Sequence, residues 1–112
     1  MQIYKILRAG EWTELTKDGV TKGAPIDLTD GFVHLSTATQ VAATAAKHFT
    51  HEDGLMLLAL EADTLGGDLK WEQSRDGDLF PHLYRAVHLA DILWSKSLPR
   101  VNGVLQFPTP MS

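Results

Sequence analysis

The run Leu55-Met56-Leu57-Leu58-Ala59-Leu60 constrains this chain more than any other feature. Gly54 stands just ahead of it and Asp63 close behind. Six residues fall far short of the ~20 needed to span a bilayer. The run is also short for a helix. With no polar residue on either alternating face, it reads as a central strand buried on both sides.

A chain of 112 residues is expected to form one domain over 1–112, with a loosely structured tail from about Pro99. At this size roughly two-thirds of the unfolded chain's surface is buried on folding, enough for a core without staples. The balance of 44% hydrophobic and 21% charged residues is that of a globular protein. Ten Lys and Arg against fourteen Asp and Glu leave a formal net charge of −4, too acidic a surface for gripping duplex DNA. There is no cysteine, so disulfides, thiolate nucleophiles, Cys-based zinc sites and iron–sulfur clusters are excluded. The start, Met1-Gln2-Ile3-Tyr4-Lys5-Ile6, has neither the basic opening nor the long apolar stretch of a signal peptide. A soluble cytoplasmic protein is expected, with no membrane partner. The sequence does not set its oligomeric state.

Ile3 to Leu7 has the β-branched and aromatic bias of a short strand. Arg8 to Pro25 is polar and holds Gly10, Gly19 and Gly23, which predicts a long loop with one helical turn at most. Gly31 to Ser36 reads as a second strand, with Phe32, His34 and Ser36 on one face and Val33 and Leu35 on the other. Thr37 to Phe49 reads as the one main helix. Thr37 and Gln40 have capping-box spacing, while Ala38, Val41, Ala45 and Phe49 form an apolar stripe that leaves Lys47 to solvent. Glycines 66 and 67 mark a turn, the segment Leu69 to Arg85 contains an Asp76-Gly77 turn, and Ala86 to Leu98 reads as strand with a bend at Asp91. This order predicts an α+β domain rather than a doubly wound fold.

Three clusters hold polar residues that burial alone does not explain. His34 and Ser36 share a strand face, which presents two ring nitrogens and a hydroxyl from a rigid element. A satisfied core histidine and a helix-capping serine are the structural alternatives. In Trp71-Glu72-Gln73-Ser74-Arg75 a carboxylate stands beside an indole, to be desolvated by it or held ionised by Arg75; the alternative is an exposed, salt-bridged turn. In Phe80-Pro81-His82-Leu83-Tyr84, Pro81 sets the approach of His82, and Tyr84 shares its face in an extended segment; the alternative is a strand with an aromatic anchor. No Walker loop, dinucleotide fingerprint, HExxH or nucleophile elbow is present. His48 and His51 stand three apart near a helix end, but two ligands do not define a metal site. No metal is expected. His88, in an apolar strand pattern, reads as structural.

With these clusters in place, nearly the whole chain resembles the domain-of-unknown-function 952 family of small bacterial proteins. The matching residues are Ile3-Tyr4-Lys5-Ile6, Asp30 to Thr37, Lys70-Trp71-Glu72 and Phe80 to Tyr84, four motifs in order. That family is similar to a compact member of the ADP-ribosyltransferase superfamily. The resemblance implies two small antiparallel sheets around a nicotinamide-nucleotide cleft, with NAD as cofactor or substrate. By motif order it is distantly similar to the RNA 2′-phosphotransferases, and the His-Leu of their strand motif matches His34-Leu35. Their first-strand histidine falls at Lys5, which donates hydrogen bonds but does not accept them.

On this resemblance the leading function is an ADP-ribosyltransferase-like enzyme acting on NAD or a related nucleotide. Glu72 would position the attacking group or a ribose hydroxyl, His34 would orient the ligand, and His82 would carry a proton or bind phosphate. Tyr4, Lys5, Ser36, Trp71, Ser74, Arg75 and Tyr84 complete the expected substrate and cofactor contacts. A second reading is a non-catalytic module that binds a nucleotide or small metabolite. A third makes the clusters a polar network holding a tight turn. The first two readings expect His34, Glu72 and His82 to converge on one concave pocket, with Tyr4, Ser36 and Tyr84 along its walls.

Overall fold

In chain order the elements are β1 (Gln2–Leu7), α1 (Ala9–Asp18), β2 (Val20–Thr21), α2 (Pro25–Asp30), β3 (Val33–His34), α3 (Val41–His48), β4 (Leu55–Glu61), β5 (Leu69–Gln73), β6 (Leu79–Leu83), β7 (Val87–His88), β8 (Ile92–Leu98), β9 (Arg100–Val101) and β10 (Val104–Leu105). They are those of a computed structural model, which describes residues 1–74, 77–109 and 111. The apolar run is β4, the middle strand of an antiparallel sheet ordered β1-β4-β8. Its alternation serves two cores at once. Leu58 and Leu60 join Ile3 and Leu7 on one face, while Leu55, Leu57 and Ala59 join Tyr4 and Ile6 on the other. Both faces are covered, so the run needs no polar side.

A second antiparallel sheet, ordered β3-β6-β5, packs Val33, Leu35 and Leu83 into the first of these cores. A two-bond bridge joins the sheets: Tyr4 N–H donates to Ser36 O at 2.7 Å and Ser36 N–H to Tyr4 O at 2.9 Å. The α+β class with small antiparallel sheets is therefore as expected. Against the other core, α3 lays Val41, Ala45 and Phe49, and Lys47 is exposed. The regular helix is shorter than 37–49. Thr37 O accepts from Val41 N–H at 3.0 Å and Gln40 Oε1 accepts from Thr37 N–H at 3.0 Å, so only a single turn leads into it.

Three expectations need correction. The segment after β1 is not a long loop, since α1 runs for 10 residues and exceeds α3 in length. Only Leu15 of it is buried, with Trp12 packed nearby, too sparse an apolar pattern to announce a helix. Its ends are held locally. Glu11 Oε1 accepts from Arg8 N–H at 3.0 Å, and Gly19, at φ +77°, donates to Leu15 O. The helix is therefore not alone, because α2 also precedes β3. Finally, residues 100–105 form paired strands rather than a loose tail: β9 and β10 pair, Phe107 and Met111 pack on the core beneath α3, and the Arg100 guanidinium donates to Phe49 O and Glu52 O at 2.8 and 2.7 Å. Those partners lie about fifty residues earlier, beyond any local pattern. No helix among the described residues is long and apolar enough to cross a membrane.

Candidate functional site

The outward face of the β3-β6-β5 sheet collects the chemistry. His34 and His82 are direct cross-strand partners, and Lys70 pairs with His82 from the other side. Directly opposed residues share a face. The two imidazoles therefore stand together, ring centroids 5.4 Å apart, edge to face. Phe32 enters between them, 4.6 Å from His34 and stacked 4.2 Å from His82, with the Tyr84 ring 5.1 Å away.

Each histidine is oriented through Nδ1 by a carboxylate. His82 Nδ1 lies 2.8 Å from Glu72 Oε1, which also accepts from the Tyr84 hydroxyl at 2.6 Å. The Tyr84 hydrogen bond first, and His82 after it, hold Glu72 below the ordinary carboxylate range, and Glu72 in turn pushes the Tyr84 hydroxyl up. Glu72 is thus an ionised carboxylate, with its side chain 39% exposed between the His82 and Tyr84 rings. The Lys70 ammonium stands 5.0 Å from the Tyr84 ring centre, a cation–π contact.

His34 Nδ1 lies 2.6 Å from Oδ1 of Asp27, a residue that the sequence reading missed. The Asp27 side chain is fully buried and accepts four hydrogen bonds. Oδ1 takes the His34 ring and the His34 N–H at 2.9 Å; Oδ2 takes Lys5 Nζ at 2.8 Å and Ala24 N–H at 2.7 Å. Burial alone would push this carboxyl up, but the bonds from His34 and Lys5 and the Lys5 charge outweigh it and hold it at about 2. A local signal for Asp27 existed. Pro25 at the first position of α2 and an acidic residue three after Ala24 are a helix-start pattern. Asp30, the last residue of α2, was missed as well; its Oδ2 lies 3.0 Å from His34 Nε2.

The structure thus brings together His34, Glu72, His82 and Tyr84, and it sends other expected site residues elsewhere. Tyr4 is buried in the opposite core, its ring 5.9 Å from Trp94 and its hydroxyl donating to Gln2 Oε1 at 3.2 Å. Ser36 is buried with Oγ 3.2 Å from Thr44 Oγ1 of α3. Lys5 is buried, and its ammonium meets Asp27 and the His34 carbonyl at 3.1 Å, so it faces inward rather than toward a ligand. Trp71, opposite Pro81 in the register, lies on the other side of the sheet from Glu72. Ser74 follows β5, with N–H donating to Asp78 O at 2.9 Å and with no hydrogen-bond partner for its buried Oγ among the described residues. Arg75 lies outside the described residues. The gathering place is a sheet face on which Glu72 and Tyr84 are partly exposed and His82 is buried. Two clefts of about 340 and 320 Å³ lie elsewhere, one lined by Glu14, Thr21 and Lys22, the other by Phe49, Arg100 and Phe107. Among the described residues no three His, Asp or Glu side chains are placed to hold a metal ion.

A small α+β domain of two three-stranded antiparallel sheets, with paired histidine–carboxylate couples on one outer face, is the class that fold and site define. Residues 6–95 match the family described as "Protein of unknown function (DUF952)", and the chain belongs to that family. It is similar to the crystal structure of protein CC0527 from Caulobacter crescentus at 46% identity, covering 95% of this chain and 94% of that one with a TM-score of 0.90. The solution NMR structure of CC0527 matches at 44% identity over 93% and 90% of the two chains, with a TM-score of 0.82. Comparison with curated proteins gives no match.

Proposed function

We propose that the His34–His82 face binds NAD or a related nucleotide, in the cytoplasm, and carries out chemistry of the ADP-ribosyltransferase type at its ribose. The observation that carries this reading is the Glu72 carboxylate, held ionised between His82 Nδ1 and the Tyr84 hydroxyl beside Phe32. The residues fit a nucleotide in kind. Phe32 and Tyr84 offer flat apolar surface for a base. His34 and His82 offer N–H donors for phosphate and ribose oxygens. NAD supplies a ribose whose bond to nicotinamide breaks with positive charge developing on the sugar, and a nearby fixed carboxylate lowers the cost of that charge. Glu72 is the residue for this. Its position is set by His82 and Tyr84, so little reorganisation accompanies the step. His82 keeps Nε2 for moving a proton once Nδ1 is committed to Glu72. Two small antiparallel sheets, as the superfamily resemblance implies, support the same reading.

One observation favours a second reading, a binding module without turnover. Lys5, at the first-strand position where a ligand contact is expected, is consumed by Asp27 and the His34 carbonyl.

Nicotinamide release from NAD, measured beside NAD-induced thermal stabilisation, separates the two. NAD at ~100 times its dissociation constant stabilises the native state by about 2.7 kcal/mol. Release by the wild type that Glu72→Gln abolishes, with stabilisation retained, supports the enzyme. Stabilisation without release supports the module. Neither effect at millimolar NAD removes NAD from the account.

A further inference from the structure

His34 is held at both ring nitrogens, by carboxylates in contrasting settings. Nδ1 meets Asp27, whose side chain is 0% exposed and also serves Lys5, Ala24 and the His34 backbone. That partner cannot leave without orphaning three other donors. Nε2 meets Asp30 at 3.0 Å, and the Asp30 side chain is 40% exposed at the end of α2. It has no other side-chain partner among the described residues. A carboxylate oxygen only accepts, so a ring nitrogen engages either carboxylate by presenting its N–H.

We infer that His34 Nε2 is a phosphate subsite, occupied in the free protein by the Asp30 carboxylate and opened when a phosphoryl oxygen of the ligand takes its place. The inference rests on the nucleotide reading of this face and names which part of the nucleotide goes where. An exposed ion pair of this type is weak, so a ligand displaces Asp30 at small cost. The donor left behind is already aimed, because Asp27 fixes the ring through Nδ1. Phe32, 4.6 Å from the His34 ring and 5.1 Å from Tyr84, places flat apolar surface beside that donor. A phosphate next to a stacking surface is the pairing a nucleotide presents. The Asp30 carboxylate therefore competes with a phosphoryl oxygen for the His34 Nε2 donor and leaves the neighbouring apolar surface untouched.

Isothermal titration of the full chain with inorganic pyrophosphate, ADP and adenosine tests this, comparing wild type with Asp30→Asn. Loss of the competing charge is expected to tighten pyrophosphate and ADP by about three- to tenfold, with adenosine affinity unchanged. His34→Gln in the Asp30→Asn background should erase the gain. Asp30→Ser serves as a second variant should the amide disturb the end of α2. Unchanged or weaker pyrophosphate binding in both Asp30 variants overturns the inference, as does an equal gain for adenosine. The two readings fail separately. Tighter pyrophosphate with no ADP or NAD binding keeps the subsite and ends the nucleotide reading. ADP binding that His82→Ala weakens and Asp30→Asn leaves alone keeps the nucleotide reading and ends the subsite. Absence of both ligands from every variant at millimolar concentration overturns both.

Discussion

Replacing Asp27 by Asn should destabilise this protein severely, and the geometry says why. The carboxylate offers two acceptor oxygens, each already receiving two N–H donors. An amide keeps one acceptor. Whichever way it is flipped, its NH2 confronts either Lys5 Nζ and Ala24 N–H or the His34 backbone and ring donors. The ammonium of Lys5, a residue only 7% exposed, loses its countercharge at the same time. Removing one partner of a buried pair costs about 3–5 kcal/mol, out of a total stability of roughly 6–17 kcal/mol for a chain of this length. Urea unfolding followed by circular dichroism at neutral pH reads the loss from the midpoint at unchanged slope. A loss below about 1 kcal/mol would refute the reasoning. The pH dependence gives an independent check. Asp27 has a folded pKa of about 2 against an ordinary 3.8, a difference worth about 2 kcal/mol. Because the folded value is the lower one, that stability is fully present above about pH 4 and drains away as the pH falls through 2. Asp27→Asn should lack this component of the acid transition.

Three further outcomes follow from the packing. Phe49 is buried against Leu55 and Leu57 with the Arg8 guanidinium 4.7 Å from its ring centre, so Phe49→Ala should cost about 3 kcal/mol or more in the same unfolding assay; a change under half a kcal/mol would show that the stripe on α3 does not carry the core. The β4 amides, paired on both sides by β1 and β8, should be among the slowest to exchange with deuterium, and rapid exchange along Leu57–Leu60 would contradict the central placement. Gly23 has φ +93°, and a Cβ there would collide with Asp27 Oδ2. Gly23→Ala should therefore lose more than about 1 kcal/mol, whereas Gly10→Ala, on α1 with open space around it, should not; equal effects would sink the argument.

The legible parts of this protein are those whose signal is local. A six-residue apolar run cannot be partnered on only one face, so Leu55–Leu60 announced its own central position. Alternation in Phe32-Val33-His34-Leu35 separated a core face from a polar one before any partner strand was known. The stripe Val41, Ala45 and Phe49 likewise told which side of α3 packs. Each rests on a repeat of 2 or 3.6 residues, which side-chain geometry imposes on any chain.

Tertiary structure decided the rest. Nothing near Lys5 says that its ammonium meets a carboxylate 22 residues later rather than a ligand. Nothing near Tyr4 or Ser36 says that their side chains turn to the α3 core while their backbones bridge the two sheets. The pairing of His34 with His82 is a matter of register between strands nearly fifty residues apart, and a slip of one residue would have put the rings on opposite faces. Sequence by itself determined which residues have chemistry to offer and which face of each element is apolar. Only the packing of two sheets determined which of those groups meet, because burial and charge pairing depend on neighbours that the chain brings together from afar.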